Sequence, residues 1–426
     1  MPVPTHAHPF TTDKDISSAE FWSRSFVERD ETFGWLRKNA PVSWHPPLET
    51  PELLPEVHGE PGFWAVVRAE DVAFVSRNHE MFSSDAKKHG RSVMFRPADP
   101  SLVPSPTFLT MDPPEHTRYR RIMSAGFTPK AVNRLRGLIE QRAARIVDRV
   151  MGAGEIDFVT EVSAKLPMMT VADLVGVPEE LVETFAEAGD RFVGADDPEI
   201  NGGTDRTQFA MRQMRVLREI GLDLVRHRRT HPTDDIATAL AQAEFDGKPL
   251  SDDDIQSAML LLSVAGNDTT KQTTSHSVVQ LWKHPDQKAW LTEDFDGRIA
   301  ASIEEFIRHA SPVVEFARTA TQDLELGGQE ILAGDKVVVF YASANRDEEV
   351  FDAPHRFDLR RTPVPHYGFG GGGVHFCLGN GIAKAQLRAL FSNILTKLPD
   401  MRVGEPEMLQ SEFIHGIRHL PVAIPS

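Results

Sequence analysis

The chain has 426 residues, 40% hydrophobic and 25% charged, which is enough to bury a deep core and excludes disordered, fibrous and low-complexity classes. Its 46 Lys and Arg stand against 62 Asp and Glu, a formal net charge of −16, so a general affinity for nucleic acid or anionic membranes, which needs a basic surface, is not expected. Cys377 is the single cysteine, which excludes an intramolecular disulfide and any multi-cysteine zinc or iron–sulfur site built by this chain alone.

In chain order, residues 1–60 are rich in Pro, His and Trp, with one expected helix over 17–38 and breakers at Pro46, Pro47, Pro51 and Pro55. The apolar, β-branched segment 62–69 predicts a strand. From 114 to 245 the apolar spacing is helical, with interruptions at Thr128-Pro129, Gly152, Gly154, Val177-Pro178 and His231-Pro232. Ser251 followed by three Asp predicts the capped, acid-rich start of a long helix. A further helix is expected over 297–309, ending before Ser311-Pro312, and short strands over 315–343 are separated by Gly-Gly and Ala-Gly-Asp turns. A glycine-rich loop then runs into an amphipathic helix over 379–397. The opening lacks a basic-then-apolar leader, and the most apolar run, 259–265, is far short of the ~20 residues that span a bilayer; a cytoplasmic protein without stable membrane insertion is expected.

Cys377 sits among Gly370, Gly371, Gly372, Gly373 and Gly379, just before the last helix. The glycines let the backbone fold tightly around the sulfur, and a following helix turns its amide ends and positive dipole toward a thiolate. An iron with one thiolate and no other protein ligand fits haem. The same loop spells G-x-G-x-x-G at Gly368, Gly370 and Gly373, but no strand precedes it and no acid follows until Asp400, so a dinucleotide site is not expected. His227 and His231, four apart with Arg228, Arg229 and Thr230 between them, read as an exposed helix end rather than a metal site. In the long helix, Ala265-Gly266-Asn267-Asp268-Thr269-Thr270 places polar groups inside an apolar stripe, where they must be bonded. Thr269 is expected to return its hydroxyl to the Ala265 carbonyl and to loosen the helix beside Gly266. Residues 115–150 carry nine Lys or Arg against Glu115, Glu140 and Asp148, either a solvated face or a docking surface for an acidic protein.

From about residue 15 to the end, the chain resembles the bacterial cytochrome P450 family of haem-thiolate monooxygenases. FGGGGVHFCLG (369–379) is similar to the family's haem-ligand loop, AGNDTT (265–270) to its oxygen-activation motif, and DPPEHTRYRR (112–121) to the segment that holds a haem propionate; Glu305, Arg308 and Arg356 match its structural triad. The resemblance implies one mainly α domain over 1–426, with a small β-rich lobe over 40–70 and 314–341 and a helical lobe over 114–312 and 379–397. It implies haem b, with Cys377 as axial ligand, Phe369, Gly370 and Gly379 around it, and His116, Arg120, Arg318 and His375 on the propionates. Phe369 stands one residue farther from Cys377 than the common pattern has it. The four-glycine loop looks like the branch acting on steroid side chains, methyl-branched lipids and terpenes, with Leu261, Ala265, Val313, Val314 and Ile414 at pocket positions.

The activity so implied is hydroxylation of an unactivated C–H bond of an apolar substrate by O2. Asp268 and Thr269 supply protons, and electrons come from a ferredoxin and its ferredoxin reductase, landing on the basic 115–150 segment together with Lys384 and Arg388. The competing readings are a non-catalytic haem sensor or carrier, which leaves the Asp268-Thr269 pair unexplained, and a peroxide-dependent haem-thiolate enzyme, whose known forms tend to lack that pair.

Overall fold

Ser25 and Ser251 each accept a hydrogen bond from the amide three residues on, while the acid at that position, Glu28 or Asp254, bonds back to the serine amide. This reciprocal cap sets where two of the principal helices begin. A computed structural model describes residue 6 and residues 8–49, 61–97, 107–196, 198–245 and 247–425; Pro51 and Pro55 lie outside them. Helix dominates the described residues beside several small sheets, the mainly α class expected. The chain forms two compact units: Met1–Thr117 with Glu304–Cys377 and Met408–Gly416, and Arg118–Ile303 with Leu378–Glu407 and Ile417–Ser426.

In the first unit, a five-stranded sheet runs in the order Val42–His45, Phe63–Val66, Lys336–Phe340, Glu315–Ala320, Phe82–Ser83. Only the contact between Lys336–Phe340 and Phe63–Val66 is parallel. Alternation sends Ala65, Ala317, Val338 and Phe340 into a core with Phe21, Trp22, Phe33 and Phe95. Trp64, Val66, Val337 and Val339 pack on Val72 and Val75 of the helix Ala69–Arg77. The expected 17–38 helix is two, Ala19–Ser23 and Phe26–Asn39, because Arg24 is extended and Ser25 caps anew. The 62–69 strand stops at Val66, since Ala69 opens a helix.

In the second unit, Thr128 caps the helix Pro129–Val150 with Pro129 in its first turn, the favoured place for a residue without an N–H. Leu135, Ile139, Ala143, Ile146 and Val150 form its buried stripe. The helices Lys165–Val175, Glu179–Val193 and Arg206–Arg228 surround the central helix, Asp252–Lys283, which runs 32 residues without a break. The loosening expected beside Gly266 does not occur. A Cβ on Gly266 would lie 2.6 Å from Val171 Cγ2, so the missing side chain is used for close packing of a regular helix. The helix Asn380–Lys397 packs on Pro129–Val150.

Candidate active site

The cysteine loop is closed by its own backbone. The Cys377 amide donates to the Phe369 carbonyl at 3.0 Å, that of Gly370 to Tyr367 at 2.9 Å, and that of Phe376 to Gly373 at 3.3 Å. Gly370, Gly372 and Gly373 have φ of +95°, +95° and +73°, a backbone region that other residues enter only with strain. Gly371 and Gly373 also press on the end of the helix Ala69–Arg77, where a Cβ would meet Ser76 at 2.3 and 2.4 Å. The four glycines between Phe369 and Cys377 thus form a turn laid on a helix. Cys377 is half-buried, and Gly379 caps the helix Asn380–Lys397.

In the same unit, the rings of His116 and His375 lie 4.5 Å apart, and Arg318 is buried on the sheet, donating to the Ala317 carbonyl at 2.7 Å. These are the donors that two carboxylates need in a place with little water. A half-buried thiol, a loop with four successive glycines, two imidazoles and a buried guanidinium fit a haem with two propionates. Arg120 stands half-buried in the second unit, on the helix Glu115–Ser124.

Glu305 and Arg308 are fully buried. Arg308 Nε and Nη2 donate to the two Glu305 oxygens at 2.7 and 2.8 Å, and its Nη1 donates to the carbonyls of Asn345 and Pro354 at 2.9 and 2.7 Å. The third arginine is not Arg356. That side chain is 65% exposed and pairs with Asp358, and only its carbonyl bonds Arg308. Arg361 takes the place instead, with Nε 3.4 Å from Glu305 and its other nitrogens on the carbonyls of Asp352, Ala353 and Arg356. The loop turns so that the position five residues later comes inward.

On the central helix, Ala265 is exposed and Leu261 and Thr269 half-exposed, although Leu262, Ser263, Asn267, Asp268 and Thr270 around them are buried. Their four-residue spacing leaves one uncovered stripe. Thr269 returns its hydroxyl to the Ala265 carbonyl at 3.2 Å, as expected. Asp268 is held by Lys271 at 2.5 Å, and Lys271 also reaches Asp190 at 3.3 Å, which accepts from Asn267 at 3.1 Å. Burial opposes the charge on Lys271, but Asp268 and Asp190 outweigh it and hold its pKa above the ordinary lysine range. Neither Lys271 nor Asp190 was singled out from the sequence. The spacing of Lys271 from Asp268 was a visible cue, whereas Asp190 lies on a distant helix.

Of the pocket positions in the first unit, Val313 bridges Ile414, but Val314 is 3% exposed and belongs to the core with Phe21, Trp22 and Phe340. Adjacent side chains of an extended segment face opposite ways, so the two valines cannot both line one pocket. The basic segment is also thinner than its count suggests: Arg142 is buried against Asp173 and Glu179, Arg134 pairs with Asp234, and Arg388 with Asp296. Arg118, Arg121, Lys130, Arg136, Arg145 and Arg149 remain exposed. His227 and His231 stack in parallel, 4.5 Å apart, on an exposed helix end.

The sequence profile of the cytochrome P450 family matches residues 208–399. A methyl-branched lipid omega-hydroxylase of Mycobacterium tuberculosis is 38% identical over 96% of this chain and 94% of its own length. The chain belongs to the cytochrome P450 family. A steroid C26-monooxygenase of Rhodococcus jostii is 36% identical over 96% of this P450 and 83% of its own length. A Mycobacterium marinum cytochrome P450 solved in complex with pseudoionone has a TM-score of 0.91 and 45% identity, covering 98% of this chain and 99% of that one. As a P450 monooxygenase, this protein uses haem b and O2. Among the described residues, no helix is long and apolar enough to cross a membrane.

Proposed function

We propose that this P450 hydroxylates an unactivated C–H bond of a methyl-branched lipid, a steroid side chain or a terpenoid, in the cytoplasm, with electrons from a ferredoxin and ferredoxin reductase. The relatives named for branched lipids and steroids support the substrate class. The observation that carries the reading is the uncovered stripe of Leu261, Ala265 and Thr269, apolar except for one hydroxyl beside a buried acid. Such a surface accepts a hydrocarbon and offers a proton at one point.

In this reading Cys377 would hold the haem iron through its thiolate, and the amides of Leu378 and Gly379 would be donors to the sulfur. His116, Arg120, Arg318 and His375 neutralise the propionates, with Phe369, Gly370 and Gly379 shaping the loop. The haem supplies the activation of O2. Leu261, Ala265, Val313 and Ile414 orient the substrate and keep water away. Thr269 Oγ1, which donates to Ala265, is the near proton holder, and Asp268, tied to Lys271, resupplies it. The exposed basic residues from Arg118 to Arg149, with Lys384, receive the acidic ferredoxin, and added salt is expected to slow reduction.

The test is a panel of sterols, branched fatty acids and terpenes added to the ferric holoenzyme. A shift in iron spin state with one of these classes, followed by hydroxylated product with a surrogate ferredoxin system, is the expected result. No shift with any of them, and a shift with polar aromatics instead, would contradict the substrate class.

A further inference from the structure

We infer that His366 and Glu304 are a positioning pair that locks the entry of the cysteine loop and thereby fixes the place of the Cys377 sulfur; the inference rests on Cys377 being the axial ligand. The His366 side chain is 4% exposed, and its Nε2 lies 2.9 Å from Glu304 Oε2. Its Nδ1 accepts the Gly368 amide at 3.1 Å. A nitrogen that accepts carries no proton, so the proton is on Nε2 and points at the carboxylate. One neutral imidazole therefore ties a backbone amide of the loop to the helix Phe295–Ala310. Gly368 is pressed against that same helix, where a Cβ would lie 2.4 Å from Ile307 Cγ2.

The next residue makes the connection to the sulfur. Phe369 holds the Cys377 amide through its carbonyl, and its ring lies 5.5 Å from that of His366. Tyr367, two residues before Phe369, donates its amide to Asn345 Oδ1 at 2.6 Å. Between Phe369 and Cys377 come four glycines, which have no side chains to stiffen the turn. The glycines therefore add no side-chain anchor of their own: the turn rests on its backbone bonds and its seat on the helix Ala69–Arg77, and the entry end is held by His366. Glu304 adjoins Glu305, so one turn of helix anchors both the buried arginine cluster and the cysteine loop.

The experiment compares holoenzyme of wild type, His366→Ala, Glu304→Ala and Glu304→Gln. It reads the rate of haem transfer to apomyoglobin and the spectrum of the reduced, CO-bound form. His366→Ala and Glu304→Ala are expected to lose haem about tenfold faster, the effect of one partly buried hydrogen bond left unmade, and to convert part of the thiolate-type band to the thiol-type band. Glu304→Gln keeps an oxygen acceptor for Nε2–H and is expected to stay within about twofold of wild type, a rescue that loss of general stability would not give. Wild-type rates and an unshifted band in Glu304→Ala overturn the pair, as does a Glu304→Gln no better than Glu304→Ala; these two variants decide alone if His366→Ala yields no holoenzyme. A wild-type holoenzyme without the thiolate band removes the ligand assignment, and the proposal with it.

Discussion

The chain buries charge in two ways, one closed and one graded. Around Arg308, the two nitrogens facing Glu305 are both used, and three backbone carbonyls take the remaining hydrogens. Glu305 and Arg308 are both inaccessible to water. A pair satisfied so completely cannot exchange a proton and has one geometry. Around Lys271 the exposure is graded: the side chain of Asp190 is 38% exposed, that of Lys271 13% and that of Asp268 10%. Beside this chain, Thr269 holds its hydroxyl on an open stripe. Charge arranged in steps from water toward an apolar surface is suited to moving a proton.

The largest effect is expected on the closed cluster. Arg308→Ala leaves Glu305 buried without its main partner and should cost about 3–5 kcal/mol, read by urea unfolding; a loss below 1 kcal/mol would break the contrast. On the open chain, Asp268→Asn should lower product per electron about 10²-fold, while Thr269→Ala uncouples electron use from product formation and changes stability by no more than about 0.5 kcal/mol. Unchanged coupling in both would remove the pair from the reaction.

A smaller, pH-dependent effect is expected at Glu315, also fully buried. Burial pushes its carboxyl up to about 8, against partial opposition from the Phe95 amide that it accepts. The folded chain therefore keeps this proton where the unfolded chain, with an ordinary value near 4.5, has released it. Its contribution to stability is full below about pH 4.5, declines as pH rises, and is gone above about pH 8. Glu315→Gln should remove that decline and be the more stable form at pH 9, by about 1–3 kcal/mol. The smallest effect is at Arg356, where Ala should change stability by no more than about 0.5 kcal/mol, against a larger loss for Arg361→Ala. The reverse order would restore the motif's arginine to the cluster.

What the sequence made legible was what neighbours in the chain decide. Ser251 and the three Asp after it announced the central helix because an N-cap and an acidic first turn are signals between near neighbours. The cysteine loop was legible because a run of glycines before a lone thiol has few other uses, and Thr269 bonds Ala265 as its spacing requires. What depends on distant chain was not legible. Arg356 and Arg361 lie in one irregular stretch, and its path past Glu305 chooses between them. Val313 and Val314 are alike until the bridge to Ile414 assigns them faces. Arg142 counts as surface charge until Asp173 and Glu179 bury it.

The most direct measurement is the absorption of the reduced, CO-bound protein beside that of Cys377→Ser, both reconstituted with haem. Wild type is expected to give the red-shifted band of a thiolate trans to CO, and the serine variant to lose it. A wild-type protein without that band, or a serine variant that keeps it, would contradict Cys377 as the ligand on which the chemistry depends.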